Sequence, residues 1–297
     1  MATQDVAIPV LGSERGRRKV NWKRWALLSP ALLILALFVI AGIFADIISV
    51  YDPKEIVLLD RLQPPVFDGG SWDHILGTDN LGRDILTRTM HGARISLIVV
   101  AVTIPLSAAI GTMVGLIAGW RLGRWDKFLM RLVDVQLALP AILFAILIAA
   151  VFGASLRNVI IIITLWTWSG YARFARGDVL SLREQEFIIA ARSIGASDVR
   201  VILRHLLPNL FNTIVILMTL EVAAVILIEA ALSFLGIGVA PGTASWGAMI
   251  SEGRNFMTVA WWLIWIPGIA ILLVSLTGNL MGDWLRDALD PRLRNLR

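Results

Sequence analysis

Six stretches of the chain, 25–48, 95–119, 135–153, 159–174, 210–235 and 259–281, are almost continuously apolar. A helix that crosses a bilayer needs about 20 predominantly apolar residues. Four of the stretches meet that length outright. The third and fourth are separated by only a few residues around Leu156, which predicts a short turn, and the fourth is short for a span. The pattern predicts an all-α polytopic membrane protein of about six transmembrane helices. It divides the chain into a polar tail (1–24), a first span (25–48), an outer loop (49–94) and a core of five further spans (95–297).

Two long polar segments interrupt the apolar ones. Segment 49–94 is rich in Asp, Pro and Gly and reads as a folded loop, with a short interfacial helix near 85–94. In segment 175–208, Phe187, Ala190, Ala191 and Ile194 recur at helical spacing between charged residues. That spacing predicts an amphipathic helix of a size suited to meeting another protein. Small residues recur every fourth position at Gly111, Gly115 and Gly119, at Ala141, Ala145 and Ala149, and at Gly278 with Gly282. Such faces let helix backbones approach closely. Pro105, Pro140 and Pro267 fall inside predicted spans and are expected to kink them.

Lys and Arg fix the orientation, because cytoplasmic loops carry the excess. With the N-terminus inside, about 20 basic residues fall on inside segments and about 7 outside. The inside set comprises the tail cluster (Arg15 to Arg24), Arg121, Arg124, Lys127, Arg131, a group from Arg173 to Arg204, and Arg286 to Arg297. Both termini are therefore expected in the cytoplasm. Trp22, Trp25, Trp120, Trp125, Trp261, Trp262 and Trp284 lie near predicted span ends, where an indole sits well at headgroup level. The first apolar run is too long for a signal-peptide core of about 7–15 residues, so it reads as an uncleaved span.

Composition supports this picture and removes others. Apolar residues make up 57% and charged residues 16% of the 297, against about 25% charged in ordinary soluble domains. The net charge of +5 follows the membrane topology and gives no reason to expect nucleic acid. There is no cysteine, which excludes disulfides, thiolate metal sites and cysteine nucleophiles.

No Gly-x-x-x-x-Gly-Lys-[Ser/Thr] loop is present, so the chain is not expected to bind ATP itself. His74, His91 and His205 have no ligand-like spacing. No metal site and no enzymatic constellation is expected. Glu221 and Glu229 both fall inside the fifth span. A charge at that depth is costly, so each is expected to face protein or water. They are pathway candidates, Glu221 foremost because it lies deeper; the bland reading is a hydrogen bond to a neighbouring helix.

The run from Glu186 through Phe187, Ala190, Ala191, Arg192 and Gly195 to His205, Leu207, Pro208 and Asn209 is the most informative. Gly195 can end a helix, and Pro208 is expected to stop the approach before the fifth span. This run resembles the Ala-Ala-x-x-x-Gly coupling loop of ATP-binding-cassette (ABC) importer permeases. Ile189 stands where that family usually has an acid. Leu76-Gly77-Thr78-Asp79 with Leu81-Gly82-Arg83-Asp84, Ala230 to Gly236, Ser245-Trp246-Gly247 and Asp290-Pro291-Arg292 are similar to segments of dipeptide, oligopeptide and nickel permeases, of the second-subunit type.

The resemblance implies a type I ABC importer permease fold with a cytoplasmic coupling helix, in a bacterial inner membrane. Glu186, Phe187, Ala190, Ala191, Arg192 and Gly195 would then meet an ATPase subunit. The implied partners are a paralogous permease, two ABC ATPase subunits that bind ATP and Mg, an extracytoplasmic solute-binding protein and membrane lipid. The implied solute is a di- or oligopeptide, or a related small molecule such as glutathione or chelated nickel. A stand-alone secondary transporter using Glu221 and Glu229, or an inert structural subunit, are the competing readings of the residues.

Overall fold

The computed structural model describes residues 22–289; Arg15 to Lys19 of the basic tail cluster and the motif that begins at Asp290 lie outside them. Eleven α-helices are present among the described residues: α1 (Trp22–Ile43), α2 (Ala45–Ile48), α3 (Ile85–Arg121), α4 (Gly123–Ala138), α5 (Ala141–Phe152), α6 (Leu156–Leu182), α7 (Glu186–Ser193), α8 (Asp198–Val201), α9 (Leu207–Phe234), α10 (Trp246–Gly253) and α11 (Trp262–Leu289). A π-helical turn, Ile202–Leu206, joins α8 to α9. Three helices are long and apolar enough to cross a membrane: α3, the continuous run Asp198–Phe234, and α11; α4 with α5 makes a fourth if counted as one bent span. The α1 helix adds a shorter apolar segment, Ser29–Ile43.

Helix boundaries correct the sequence expectations at several points. The helix foreseen near 85–94 is no separate element but the first turns of the 37-residue α3. Asp84 starts it, accepting a hydrogen bond from Thr87 N at 2.7 Å, a side-chain cap that satisfies an otherwise orphaned donor. The third apolar stretch is not a straight span. It breaks at Leu139–Pro140, where α4 and α5 meet at 87°. Pro140 lacks the N–H a helix would use and forces the preceding residue into an extended shape, which Leu139 adopts with ψ 130°. Pro105 and Pro267, by contrast, sit inside unbroken helices. Pro208 does not halt the chain either. It occupies the first turn of α9, and the wider π turn just before it accommodates the missing donor.

The central contact is between α3 and α6. Gly111, Gly115 and Gly119 form the stripe that carries it: a methyl added at Gly111 would come within 2.2 Å of Trp168 O, and one at Gly115 within 2.4 Å of Ala172 O. On α5, Ala145 is buried against Val159, Ile162 and Ile163 of α6, and Ala149 is buried as well. Gly278 and Gly282 of α11 face Val222 and Leu220 of α9. At the other edge, Arg94 ties α3 to α2 and α1: its Nη1 donates to Asp46 of α2 at 2.7 Å and its Nε to the Gly42 carbonyl of α1 at 3.0 Å. Hydrogen bonds from Arg94 and then His91 hold the Asp46 carboxyl below its ordinary value.

Within each spanning segment only 33–39% of the residues are buried inside the chain. Leu33, Leu37, Leu143, Leu147, Phe152 and Leu272 all stand exposed. An apolar surface this extensive requires lipid or another subunit.

Two predictions follow from the packing. Gly111→Ala should lower stability by about 1–3 kcal/mol, the usual cost of overpacking, whereas Gly278→Ala, whose new methyl has its nearest neighbour 3.4 Å away, should be tolerated; thermal unfolding in detergent distinguishes them. The Asp46 clamp stabilises at neutral pH and is lost as pH falls through its depressed pKa. Asp46→Asn should therefore lower stability at pH 7 and flatten the acid limb of a pH–stability curve.

Candidate functional site

The segment between α6 and α9 forms a knob at one end of the bundle. Arg192 follows its helix dipole, placing a cation in the last turn of α7, and Glu186 places an anion in the first. A Schellman stop closes the helix: Ala196 N donates to Ala191 O at 3.1 Å and Gly195 N to Arg192 O at 2.9 Å. This requires Gly195 at φ +84°. No atom lies within 4 Å of where its Cβ would be, so the demand is conformational and not one of space.

The α7 helix has an inner and an outer face. Ile188 and Ala191, three residues apart, are buried, and Ile188 joins Val179, Val201, Leu206 and Trp120 in one apolar cluster. The Arg192 guanidinium lies 5.4 Å over the Trp120 ring at the foot of α3. These contacts pin the knob to the bundle. Phe187 (43% exposed), Ala190 and Ile194 (86% exposed) recur at steps of three and four on the adjoining, exposed side. Only the Phe187 ring is partly covered, by His205 with centroids 6.2 Å apart.

The helix and its glycine stop are where the sequence placed them. Ala191 is turned inward, however, and Arg192 lies against Trp120. Consecutive residues differ by about 100°, so Ala190 and Ala191 cannot share one narrow face. Ile189, at the family's acidic position, is exposed beside neither face.

The two intramembrane acids separate in the same way. Glu229 is fully buried and accepts hydrogen bonds from Ser233 Oγ at 2.8 Å and from Ser96 Oγ of α3 at 3.3 Å. It ties α9 to α3, which is the bland reading. Glu221 is half-buried, and Tyr171 of α6 carries a phenolic hydroxyl. That hydroxyl is buried without a hydrogen-bond partner.

At the opposite end, the Gly-Thr-Asp segment is the centre of a buried ionic cluster. Asp79 Oδ1 accepts from Leu81 N at 2.7 Å and Arg83 N at 3.0 Å. Its Oδ2 accepts from Arg83 Nε at 2.6 Å and also from Arg88 Nη1. Glu252 of α10 closes the square, 2.6 Å from Arg83 and 2.9 Å from Arg88. Two arginines thus face two carboxylates. Trp262 Nε1 donates to Thr78 O at 3.0 Å and Trp246 Nε1 to Thr89 O at 2.9 Å. Sequence reasoning missed Glu252, which lies 169 residues from Arg83 in a segment singled out only for its Ser-Trp-Gly. The histidines remain apart: His74 beside Asp84, His91 beside Asp46 and His205 beside Phe187.

Residues 111–295 match the family described as binding-protein-dependent transport system inner membrane component. A putative peptide transport system permease protein of Brucella suis biovar 1 (strain 1330) is 44% identical over 263 residues, 89% of this chain and 87% of that protein. A di/tripeptide transport system permease protein of Pseudomonas aeruginosa (strain UCBPP-PA14) is 41% identical, covering 89% and 88%. A glutathione transport system permease protein of Escherichia coli O6:K15:H31 is 42% identical, covering 92% and 89%. Among solved structures, an inward-facing MetNI methionine ABC transporter chain superposes with a TM-score of 0.56 at 16% identity, covering 68% of this chain and 96% of that one. That likeness places the fold among type I ABC importer permeases.

Removing Arg88 from the buried cluster leaves Arg83 alone to balance both carboxylates. Arg88→Met should cost about 3–5 kcal/mol, the typical penalty for leaving a buried charge uncompensated. Glu229→Ala should also destabilise, because the Ser96 and Ser233 hydroxyls lose their acceptor, whereas Glu221→Ala should leave unfolding in detergent nearly unchanged.

Proposed function

Because this chain belongs to the family of binding-protein-dependent transport system inner membrane components, we propose that it is one of two transmembrane subunits of an ATP-driven importer of peptides or related small solutes. The names of its relatives support the peptide class. In this reading the knob end faces the bacterial cytoplasm and the Asp79–Glu252 end faces outward, as the distribution of Lys and Arg supports. A paralogous permease covers the exposed apolar flank. Two separate ABC ATPase subunits bind ATP and Mg, and a solute-binding protein delivers cargo to the outer end.

The observation that carries the reading is the construction of α7. Its inner face is locked by Ile188, Ala191 and the Arg192–Trp120 contact. Its outer face presents Phe187, Ala190 and Ile194 to solvent. Exposed apolar side chains on a stiff, capped helix fit an apolar groove on a partner. Phe187 and Ile194 fill that groove, and Ala190 allows close approach. Rigidity is the physical requirement, since a movement of the ATPase pair reaches the spans only through an element that does not yield. Glu221 belongs to the solute path in this reading. Glu229 does not, because its hydrogen bonds to α3 and α9 occupy it.

Ile194→Arg should abolish co-purification of the ATPase subunits and solute-stimulated ATP hydrolysis while leaving the thermal unfolding of the chain unchanged. Gly195→Arg should have the same effect through the backbone, since a non-glycine residue at positive φ is disfavoured by about 1 kcal/mol or more. A purified chain that moves solute across liposomes without any ATPase would overturn the proposal.

A further inference from the structure

The position of the membrane edge can be read along α11. Residues 262–282 carry no Asp, Glu, Lys or Arg, and Asp283 ends the run. At 1.5 Å per residue that helical stretch is about 31 Å long, against a hydrocarbon layer of about 30 Å. There is no slack at either end. Asp283 bounds the layer on one side. On the other, a 3₁₀ turn and a non-helical stretch precede Trp262, and irregular backbone does not lie bare in hydrocarbon. The layer therefore begins at the head of α11, and Trp261 stands at its edge.

The two tryptophans at this point turn opposite ways. Trp262 is buried, its Nε1 bonded to Thr78 O. Trp261 heads a stripe of exposed side chains, Trp265, Ile269, Leu272 and Leu276, at steps of three and four down α11. The stripe is bulky, broken only by Gly268, and no second small residue lies three or four positions from that glycine. Close helix–helix packing in a bilayer uses small residues, as Gly278 and Gly282 do against α9. A bulky, uncharged stripe suits acyl chains instead.

The polar segment 49–84 reaches the same edge. Phe67 packs on Trp261 with ring centroids 6.0 Å apart, and Trp261 Nε1 donates to Asp68 Oδ2 at 3.0 Å. The loop that holds Phe67 and Asp68 is closed at its neck, where Val66 N donates to Ile75 O at 3.1 Å. It leaves Phe67 68% and Trp72 79% exposed. Met257 and Val259, in the turn before Trp261, are exposed as well. Aromatic rings beside a bilayer edge sit favourably at headgroup level.

We propose that the loop tip 66–72 rests in the headgroup layer as an interfacial anchor, with phospholipid as its partner. Phe67 and Trp261 lie at the ends of the acyl chains, and Trp72 lies among the headgroups. Asp68, bonded to Trp261, fastens the loop to the head of α11. The Thr78–Trp262 bond and the Asp79–Arg83–Glu252 cluster then hold the rest of the segment at a set height above the lipid. The anchor needs only the membrane edge and stands whichever way the chain is inserted, so it and the importer reading can fail separately.

The chain has no cysteine, so a single probe can be placed in it. Phe67→Cys and separately Trp72→Cys, both at exposed positions, are labelled with bimane in the full complex, its partner subunits freed of reactive thiols, in phospholipid nanodiscs. Thermal unfolding should be unchanged by either label. Phospholipid bearing a nitroxide on its headgroup is expected to quench most of the emission at both positions, and aqueous iodide to quench little of it. Labels quenched by iodide and untouched by the nitroxide lipid overturn the anchor. Labels shielded from both quenchers also overturn it, because a protein then covers the tip: the solute-binding protein if shielding appears only on its addition, the paralogous permease if shielding persists without it.

Discussion

The close approach of α3 and α6 is the constraint on which the rest of the molecule depends. Three glycines on α3 place its backbone against the Trp168 and Ala172 carbonyls of α6. Inside a bilayer, apolar side chains gain little by leaving lipid for protein, so contact area and backbone proximity must supply the attraction. That single seam sets the direction in which α6 leaves the bundle, and with it the position of α7. It also leaves the opposite side of α6 free, and α4 lies along that side.

The two ends of the bundle are built on opposite principles. At the loop end, Asp79, Arg83, Arg88 and Glu252 are bonded to one another and roofed by Trp246 and Trp262. Every charge there has an opposite charge, and the segment 49–84 is fixed to the core through it. At the knob end, ionic contacts are few and the apolar residues Phe187, Ile194 and Val199 are left uncovered. The first arrangement suits a platform that holds its shape. The second suits a surface completed by another protein.

Much of this was legible in the sequence because membrane spans obey a one-dimensional rule. Long apolar runs announce helices, and α3, α9 and α11 lie where the runs placed them. The glycine stripe and the Gly195 stop were equally readable, since each depends on residues a few positions apart. What the sequence concealed depends on rotation or distance. Pro105, Pro140 and Pro267 look alike in the chain, but only Pro140 coincides with a break, because only there do the surrounding helices pack in two directions. Ala190 and Ala191 look equivalent until the helix is rotated onto the bundle. Glu252 meets Arg83 and Arg88 only through the fold, and the Asp134–Arg173 pair likewise joins residues 39 apart.

The unbroken run from Asp198 to Phe234 has a mechanical consequence. At 1.5 Å per residue its 37 residues form a rod about 55 Å long, packed at its foot through Val201 and Leu206 against Ile188 of α7. A tilt imposed beside α8 is therefore delivered to the far tip as a smaller sideways movement of opposite sense, because the Glu229–Ser96 bond that serves as fulcrum lies close to the far end of α9. The π-helical turn at Ile202–Leu206 is the one place where such a rod can take up or release part of a turn, so the lever carries its own clutch.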